Sequence, residues 1–202
     1  MIGGRTHLVV VDSNVWASRT LRDWLALLHQ EGPGLYQVAW SEDLRAETVR
    51  VIRRRHPEVD GGVTAKVAEA FEAVFPDGRV RDYVVPGDMP RPADAGDIHV
   101  RALAEHCRAD LLVTDNVRHL RPASEDEQDA LHHEVHTADE FFLLVDDSAP
   151  HVVRAATARN CDYYVEQAPC RGEPVDIDLP QALERAGCPA FADRVRVRLQ
   201  QI

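Results

Sequence analysis

Lysine is almost missing from this chain: Lys66 is the only one in 202 residues, so basic contacts fall to arginine, which grips phosphate and carboxylate bidentately. Positive charge as a whole is short as well. With 23 basic residues against 34 acidic ones the formal net charge is −11, which excludes a protein that coats nucleic acid nonspecifically, because that affinity rests on Lys and Arg. An enzyme acting on nucleic acid stays open. No run approaches the roughly 18 consecutive apolar residues of a membrane span. The opening MIGGRTHLVV lacks the apolar block and cleavage site of a signal peptide, so a cytoplasmic protein with no membrane partner is expected. Cysteine is scarce too. Cys107, Cys161, Cys170 and Cys188 form no C-x-x-C pair and are expected to be free thiols rather than disulfides or a zinc site. Internal repeats and low-complexity tracts are absent.

What is present is a hydrophobic content of 45%, enough for a real core in one domain with at most a small appendage. HLVVVDSNVW, His7 to Trp16, opens with continuous rather than alternating apolar residues. This predicts a strand from His7 to Asp12 buried on both faces. A helix follows, with Val15, Leu21, Trp24, Leu25 and Leu28 near helical spacing, until EGPG (31–34) stops it. LYQVAW (35–40) predicts a second strand, and Ser41 caps a helix running to about His56, ahead of Pro57. Thr64 begins another helix through Phe75, RVRDYVV (79–85) predicts a strand, and PGDMPRPADAG (86–96) a loop. That loop leads into a helix from Asp97 to Cys107, whose Val100, Leu103, Ala104 and Cys107 make one apolar stripe. DLLVTD (110–115) repeats the opening pattern, an apolar strand ending on Asp. EVHTADEFFLLV then predicts a short strand and a helix whose Thr137 and Glu140 fit a capping box.

Strands alternating with helices indicate an α/β fold over residues 1–147, three layers around a central, mainly parallel sheet. From Ser148 only helices are expected, at about 148–167 and 178–201, with Gly172 and Pro174 between them. This small all-helical C-terminal region, 148–202, holds seven Arg and seven Asp or Glu, so the whole acidic excess lies in the first 147 residues.

Ligands of open parallel α/β sheets bind at the carboxyl ends of the strands, where Asp12 and Asp115 are both expected. A strand-end Asp is commonly a helix cap, but two on separate strands weaken that explanation. Asp94 and Asp97 resemble a D-x-x-D cap, and capping alone would explain them. The helix they open runs directly into the strand ending at Asp115, however, which brings its first turn near that strand end. Glu47 follows Leu44 by three residues and precedes Val51 by four, at the edge of an apolar stripe, and a carboxylate turned towards a core needs a partner. Four acids at one edge would repel unless a cation joined them. A hard divalent ion, Mg²⁺ or Mn²⁺, fits oxygen ligands of this kind.

VVVDSNVW, SEDLRAETVRVI, DAGDIHVRALAEHCRADLLVTDN and ADEFFLLV resemble, in order and separation, the successive motifs of the PIN-domain ribonuclease family, over roughly residues 7–146. The resemblance implies metal-site acids at Asp12, Glu47, Asp97 and Asp115. It implies supporting roles for Asn14, Thr114, Asp94 and Asn116, with either Asp115 or Asn116 in the fourth position. It further implies Mg²⁺- or Mn²⁺-dependent hydrolysis of an RNA phosphodiester by one or two ions. The small bacterial members are VapC-like toxins of type II toxin–antitoxin pairs, so a cognate antitoxin and a homodimer are expected. LERAGCPAFADRV is similar to the helical C-terminal region of one VapC-like subgroup.

HHEVH (132–136) is H-E-x-H rather than H-E-x-x-H and is read as loop and strand, not as a zinc site. RVIRRRH (50–56) is either a solvated helix face or an RNA contact. Arg118, His119 and Arg121 follow the second strand-end acid, where Arg118 and Arg121 are candidate RNA contacts. Two other functions compete. A PIN-like module that binds RNA or protein without cleaving is opposed by intact acids at all four positions. A phospho-receiver domain needs a lysine at a strand end, whereas Lys66 is expected in a helix.

Overall fold

A computed structural model describes residues 6–87, 89, 94–171 and 178–202. Residues 1–5, residues 88 and 90–93 of the expected Pro-rich loop, and the Gly172 to Pro174 connection lie outside the described residues, as does the side chain of Cys170. Cys107, Cys161 and Cys188 are free thiols. Among the described residues no helix is long and apolar enough to cross a membrane.

The strands are β1 (His7–Val11), β2 (Tyr36–Ala39), β3 (Leu111–Val113) and β4 (Glu134–His136). The helices are α1 (Ser13–Ala17), α2 (Arg19–Glu31), α3 (Glu42–Arg55), α4 (Gly61–Val74), α5 (Ile98–Cys107), α6 (Val117–Leu120), α7 (Glu125–Asp129), α8 (Ala138–Ser148), α9 (Pro150–Arg171), α10 (Leu179–Arg185) and α11 (Pro189–Leu199). The strands form one four-stranded sheet in the order β2-β1-β3-β4. All three pairings are parallel, with Val9 opposite both Val38 and Leu111. The expected class holds: a three-layer α/β/α arrangement with a central parallel sheet and extra C-terminal helices. The continuous apolar character of β1 has its reason here, since Val9, Val10 and Val11 sit on a central strand and are fully buried.

By contact density the chain divides into two compact units. One comprises residues 6–18 and 36–137, hence the sheet, α1 and α3 to α7. Its aromatic core joins Trp16 to Phe71 and Phe75 at ring separations of 4.4 and 5.6 Å. The Trp40 indole lies 5.6 Å from Phe71 and donates to the Phe75 carbonyl at 2.9 Å. Gly78 passes so close to β2 that a Cβ there would meet the Val38 carbonyl oxygen at 1.8 Å. That approach lets Trp40 pair with the chain on either side of Arg79, donating to Gly78 and accepting from Val80.

The pairing goes no further, which corrects the strand expected over 79–85. Only an isolated bridge, Trp40 with Arg79, is formed, and Val84 and Val85 are left exposed. Polar side chains reaching α3 hold this segment instead. Arg79 pairs with Glu42 at 2.5 Å, and the Tyr83 hydroxyl donates to Asp43 at 2.6 Å.

The other unit comprises residues 19–35, 138–171 and 178–202, all helical apart from connections. Phe191 of α11 is its hub, 5.1 Å from the Trp24 ring of α2 and 5.0 Å from Phe142 of α8. Cys188 makes no side-chain cap for α11. Asp139 of α8 takes that role, accepting from the Ala190 and Phe191 amides at 3.2 and 2.8 Å. The fully buried carboxylate of Asp146 is neutralised bidentately by Arg198, whose Nε donates to Oδ1 at 3.1 Å and whose Nη2 donates to Oδ2 at 3.0 Å. The single helix expected over 178–201 is in fact α10 and α11. The break follows from Gly187 at φ +88° and from Pro189, whose missing N–H suits the first turn of a new helix. The helix expected after β1 is likewise two, parted at Ser18.

Because Phe191 is fully buried among aromatic rings of two other helices, truncating it opens a cavity in this unit. Phe191→Ala is expected to destabilise by about 3–5 kcal/mol in urea unfolding. A cost below about 1 kcal/mol would show that the cluster does not hold α11.

Candidate metal centre

The site begins where two adjacent parallel strands end. Beyond β1 the Asp12 amide still donates to the Val113 carbonyl at 2.9 Å, and beyond β3 the Thr114 amide donates to His136 at 2.8 Å. Both residues are therefore fixed by the ladder although neither belongs to a strand. Asp12 is 3% exposed. It caps α1, its Oδ1 accepting from the Ser13 amide at 2.6 Å, so the capping explanation is true of it. Its other oxygen does more. Oδ2 accepts from the Thr114 hydroxyl and from the Asn14 amide, each at 2.7 Å. Burial pushes the Asp12 carboxyl up to about 6, with the charges of Asp97 and Glu47 adding to the rise and the bonds from Thr114 and Ser13 opposing it.

From Thr114 the network runs to the third expected acid. The Thr114 hydroxyl accepts from the Asn116 amide at 2.9 Å, and the Asn116 side chain donates to Asp97 Oδ2 at 2.7 Å. Asp97 closes a 3₁₀ turn (Ala95–Asp97) and opens α5 without any side-chain cap bond. Capping therefore does not account for its carboxylate. Asp94 folds back to accept from the Gly96 amide at 2.9 Å, and His119 Nδ1 lies 3.6 Å from Asp97 Oδ2. Asp94, Asp97 and His119 each offer one ligand atom, and those atoms all lie within 4.8 Å of one another. Asp94 is exposed, Asp97 and His119 half-buried. Two carboxylates and an imidazole make a donor set that suits a divalent ion such as Mn²⁺ or Mg²⁺. Burial raises the Asp97 carboxyl, helped by the charges of Asp94 and Glu47 against His119 and His99.

Glu47 has the partner that its place on α3 demands: His99 of α5, whose Nε2 lies 2.7 Å from Oε2. Burial acts to raise the Glu47 carboxyl. The His99 bond and charge, with Ser13 and Arg50, outweigh it and leave the carboxyl below its ordinary value. For His99 the balance is similar, burial acting downward and Glu47 carrying the imidazole above its usual range.

The two residues proposed for the fourth position diverge. Asn116 reaches Asp97 through its side chain, whereas Asp115 is exposed and its backbone amide donates to Asn14 Oδ1 at 3.3 Å. Arg118 is exposed. Arg121 donates to the Val135 carbonyl at 3.2 Å, tying its loop to β4. The histidines of HHEVH go to separate carboxylates. Buried His133 lies 2.8 Å from Glu105, and His136 lies 3.0 Å from Glu134.

Asp12, Asn14, Thr114, Asn116 and Asp97 are thus one bonded chain, with Glu47 close enough to act on Asp12 and Asp97 by charge. His99 and the ligand role of His119 are not legible in the sequence. Each depends on which way α5 and the turn after β3 face, and no local pattern carries that information.

The charge of Asp12 opposes folding. Its folded value, about 6, stands above the ordinary 3.8. Without divalent ions, its contribution is therefore fully present below about pH 4 and is lost as pH rises through about 6, a difference of roughly 3 kcal/mol. In chelator, Asp12→Asn is expected to flatten that part of the pH–stability curve and to hold or raise Tm at pH 7. A lower Tm with an unchanged pH slope would show that the bonds accepted by Asp12 outweigh the cost of its buried charge.

Comparison of the chain with protein-family models, with curated proteins and with solved structures found no match. The molecule itself carries the likeness at a coarser level: a parallel sheet flanked by helices with an acidic cluster beside its strand ends, consistent with a PIN-like fold and with a metal-dependent active site.

Proposed function

We propose that this protein is a Mg²⁺- or Mn²⁺-dependent endoribonuclease of the PIN type, hydrolysing RNA phosphodiester bonds. We assign it as the toxin of a toxin–antitoxin pair, a cytoplasmic homodimer silenced by its cognate antitoxin. The observation that supports this best is where the acids stand. In the order β2-β1-β3-β4 the chain runs outward from β1 in both directions, so the topological switch point lies between β1 and β3. Ligands of such sheets bind in the crevice at that point. Asp12 and Thr114 are the first residues beyond those two strands, and the network from them leads to Asp97.

In this reading the metal-site acids are Asp12, Glu47, Asp97 and Asp115, and Asp94 and His119, whose ligand atoms lie within 4.8 Å of that of Asp97, join them around the ion. Asp115, the strand-end acid that the PIN resemblance also assigns to the metal site, is exposed. A bound divalent ion supplies an activated water and a Lewis acid for the phosphate. The protein's own part is preorganisation. Thr114 and Asn14 fix the Asp12 carboxylate, Asn116 orients Asp97, and His99 holds Glu47. Arg118 is assigned to the RNA backbone, and residues 148–202, as an extension of a domain formed by 1–147, to the choice of partner or substrate.

Calorimetric titration with Mn²⁺ should show binding that Asp97→Asn abolishes and that Asp94→Asn and His119→Ala each weaken at least tenfold. Asp115→Asn should do so only if that side chain joins the ion. RNA cleavage should stop in chelator, return with Mn²⁺ or Mg²⁺, and fall by at least about a hundredfold in Asp97→Asn. Equal cleavage by the wild type and Asp97→Asn would point to a contaminating nuclease. Metal-dependent RNA binding without cleavage would favour the non-cleaving module.

A further inference from the structure

Five carboxylates surround or adjoin the proposed centre, Asp12, Asp43, Glu47, Asp94 and Asp97, and an RNA backbone is anionic as well. A bound ion offsets part of that repulsion at the reacting phosphate only. The next phosphate along the strand needs a cation that the protein supplies, and α3 carries five arginines from which one can be chosen.

Four of them are unsuited. Arg45 pairs with Glu42 and lies over the Trp40 ring. Arg53 donates to the Val59 carbonyl at 2.6 Å and to the Thr64 hydroxyl at 3.2 Å, closing the turn between α3 and α4. Arg55 reaches the Asn14 carbonyl at 3.5 Å. Arg54 makes no hydrogen bond among the described residues but is not on the wall of the cavity beside the metal centre. Arg50 is both without a hydrogen bond among the described residues and on the wall of that cavity.

That cavity has a volume of about 300 Å³ and is lined by Asp43, Ala46, Glu47, Arg50, Gly96 and His99. It reaches the small end of the range for ligand sites. It also adjoins the metal centre, because Gly96 binds the Asp94 carboxylate and precedes Asp97. The other charged groups on its wall already have partners. Asp43 accepts from Tyr83, and Glu47 faces His99, on which the Gly96 backbone also acts. The guanidinium of Arg50 acts on Glu47 by charge and keeps all its donors.

We propose that Arg50 receives a backbone phosphate of the RNA next to the one that is cleaved, so that the cavity between α3 and the start of α5 sets the path of the strand across the metal centre. This rests on the ribonuclease reading. Arg50 binds substrate; it does not hold the ion, and the effect of its loss falls on KM rather than on kcat. A bidentate fork suits phosphate, and lysine would replace its charge but not its geometry.

The test uses the full-length protein, with labelled total cellular RNA as substrate, and follows cleavage at the positions cut by the wild type. Arg50→Ala is expected to raise the apparent KM about tenfold near 0.1 M salt while changing kcat less than about threefold. The slope of log KM against log salt should fall by roughly 0.7, the loss of one phosphate contact on a single strand. Arg50→Lys should keep that slope and recover part of the affinity, and Arg54→Ala should behave as the wild type. Mn²⁺ affinity and Tm should be the same in all four proteins. The assignment is overturned if Arg50→Ala keeps the wild-type KM and salt slope, if Arg54→Ala matches it, or if kcat falls while KM holds. If the wild type neither binds nor cleaves the RNA, the ribonuclease reading fails and this proposal with it. Cleavage by the wild type that is indifferent to Arg50 removes the proposal alone.

Discussion

The hydroxyl of Thr114 is the joint on which the site depends. It donates to Asp12 Oδ2 and accepts from the Asn116 amide and, at 3.2 Å, from the Asn14 side chain, so its single donor and both acceptor positions are in use. Through that one atom the ends of β1 and β3 are tied together, and through Asn116 the start of α5 is tied to both. The constraint behind it is electrostatic. A carboxylate 3% exposed survives only with its oxygens bonded, and three donors converge on Asp12 from the Ser13 amide, Asn14 and Thr114. Those donors must be held still. A parallel sheet with fully buried strands holds them because neither strand end can shift without breaking ladder bonds.

Much of this is legible in the residues, for reasons that differ from place to place. Where Val9, Val10 and Val11 follow one another, continuity of apolar residues marks a strand covered on both faces, and the polar residue ending it must lie at the sheet edge. Ser41 announces α3 because a cap is a local bond, and its side chain does accept from the Leu44 amide. Local rules fail where two remote segments decide the outcome. Residues 79–85 have the composition of a strand, yet Glu42 and Asp43 on α3 take Arg79 and Tyr83, and the ladder stops after one bridge. The choice between Asp115 and Asn116 is of the same kind. Which of two neighbours turns towards Asp97 is set by the turn after β3, where Asn116 is held by its own amide bond to Thr114. The split of α10 from α11 is different, since Gly187 and Pro189 are local breakers, and the apolar spacing across them conceals the break.

Glu47 shows how a sound physical demand can leave its answer open. A carboxylate at the edge of an apolar stripe needs compensation, and the structure supplies it with an imidazole rather than leaving it wholly to an ion. That distinction changes how the centre is organised. Asp12 and Asp97 are both raised by burial and by neighbouring acids, so both gain from a cation, whereas Glu47 is already lowered by His99. The acids therefore divide into a pair whose carboxyls stand above their ordinary value and a third whose carboxyl stands below it. Asp94 and His119 stand within reach of the same ligand position as Asp97. An ion held by these three residues would offset the charge of Asp97 and Asp94 directly. Glu47 and its imidazole are left to face the cavity, where they share the wall with the one arginine of α3 that lines it and keeps its donors.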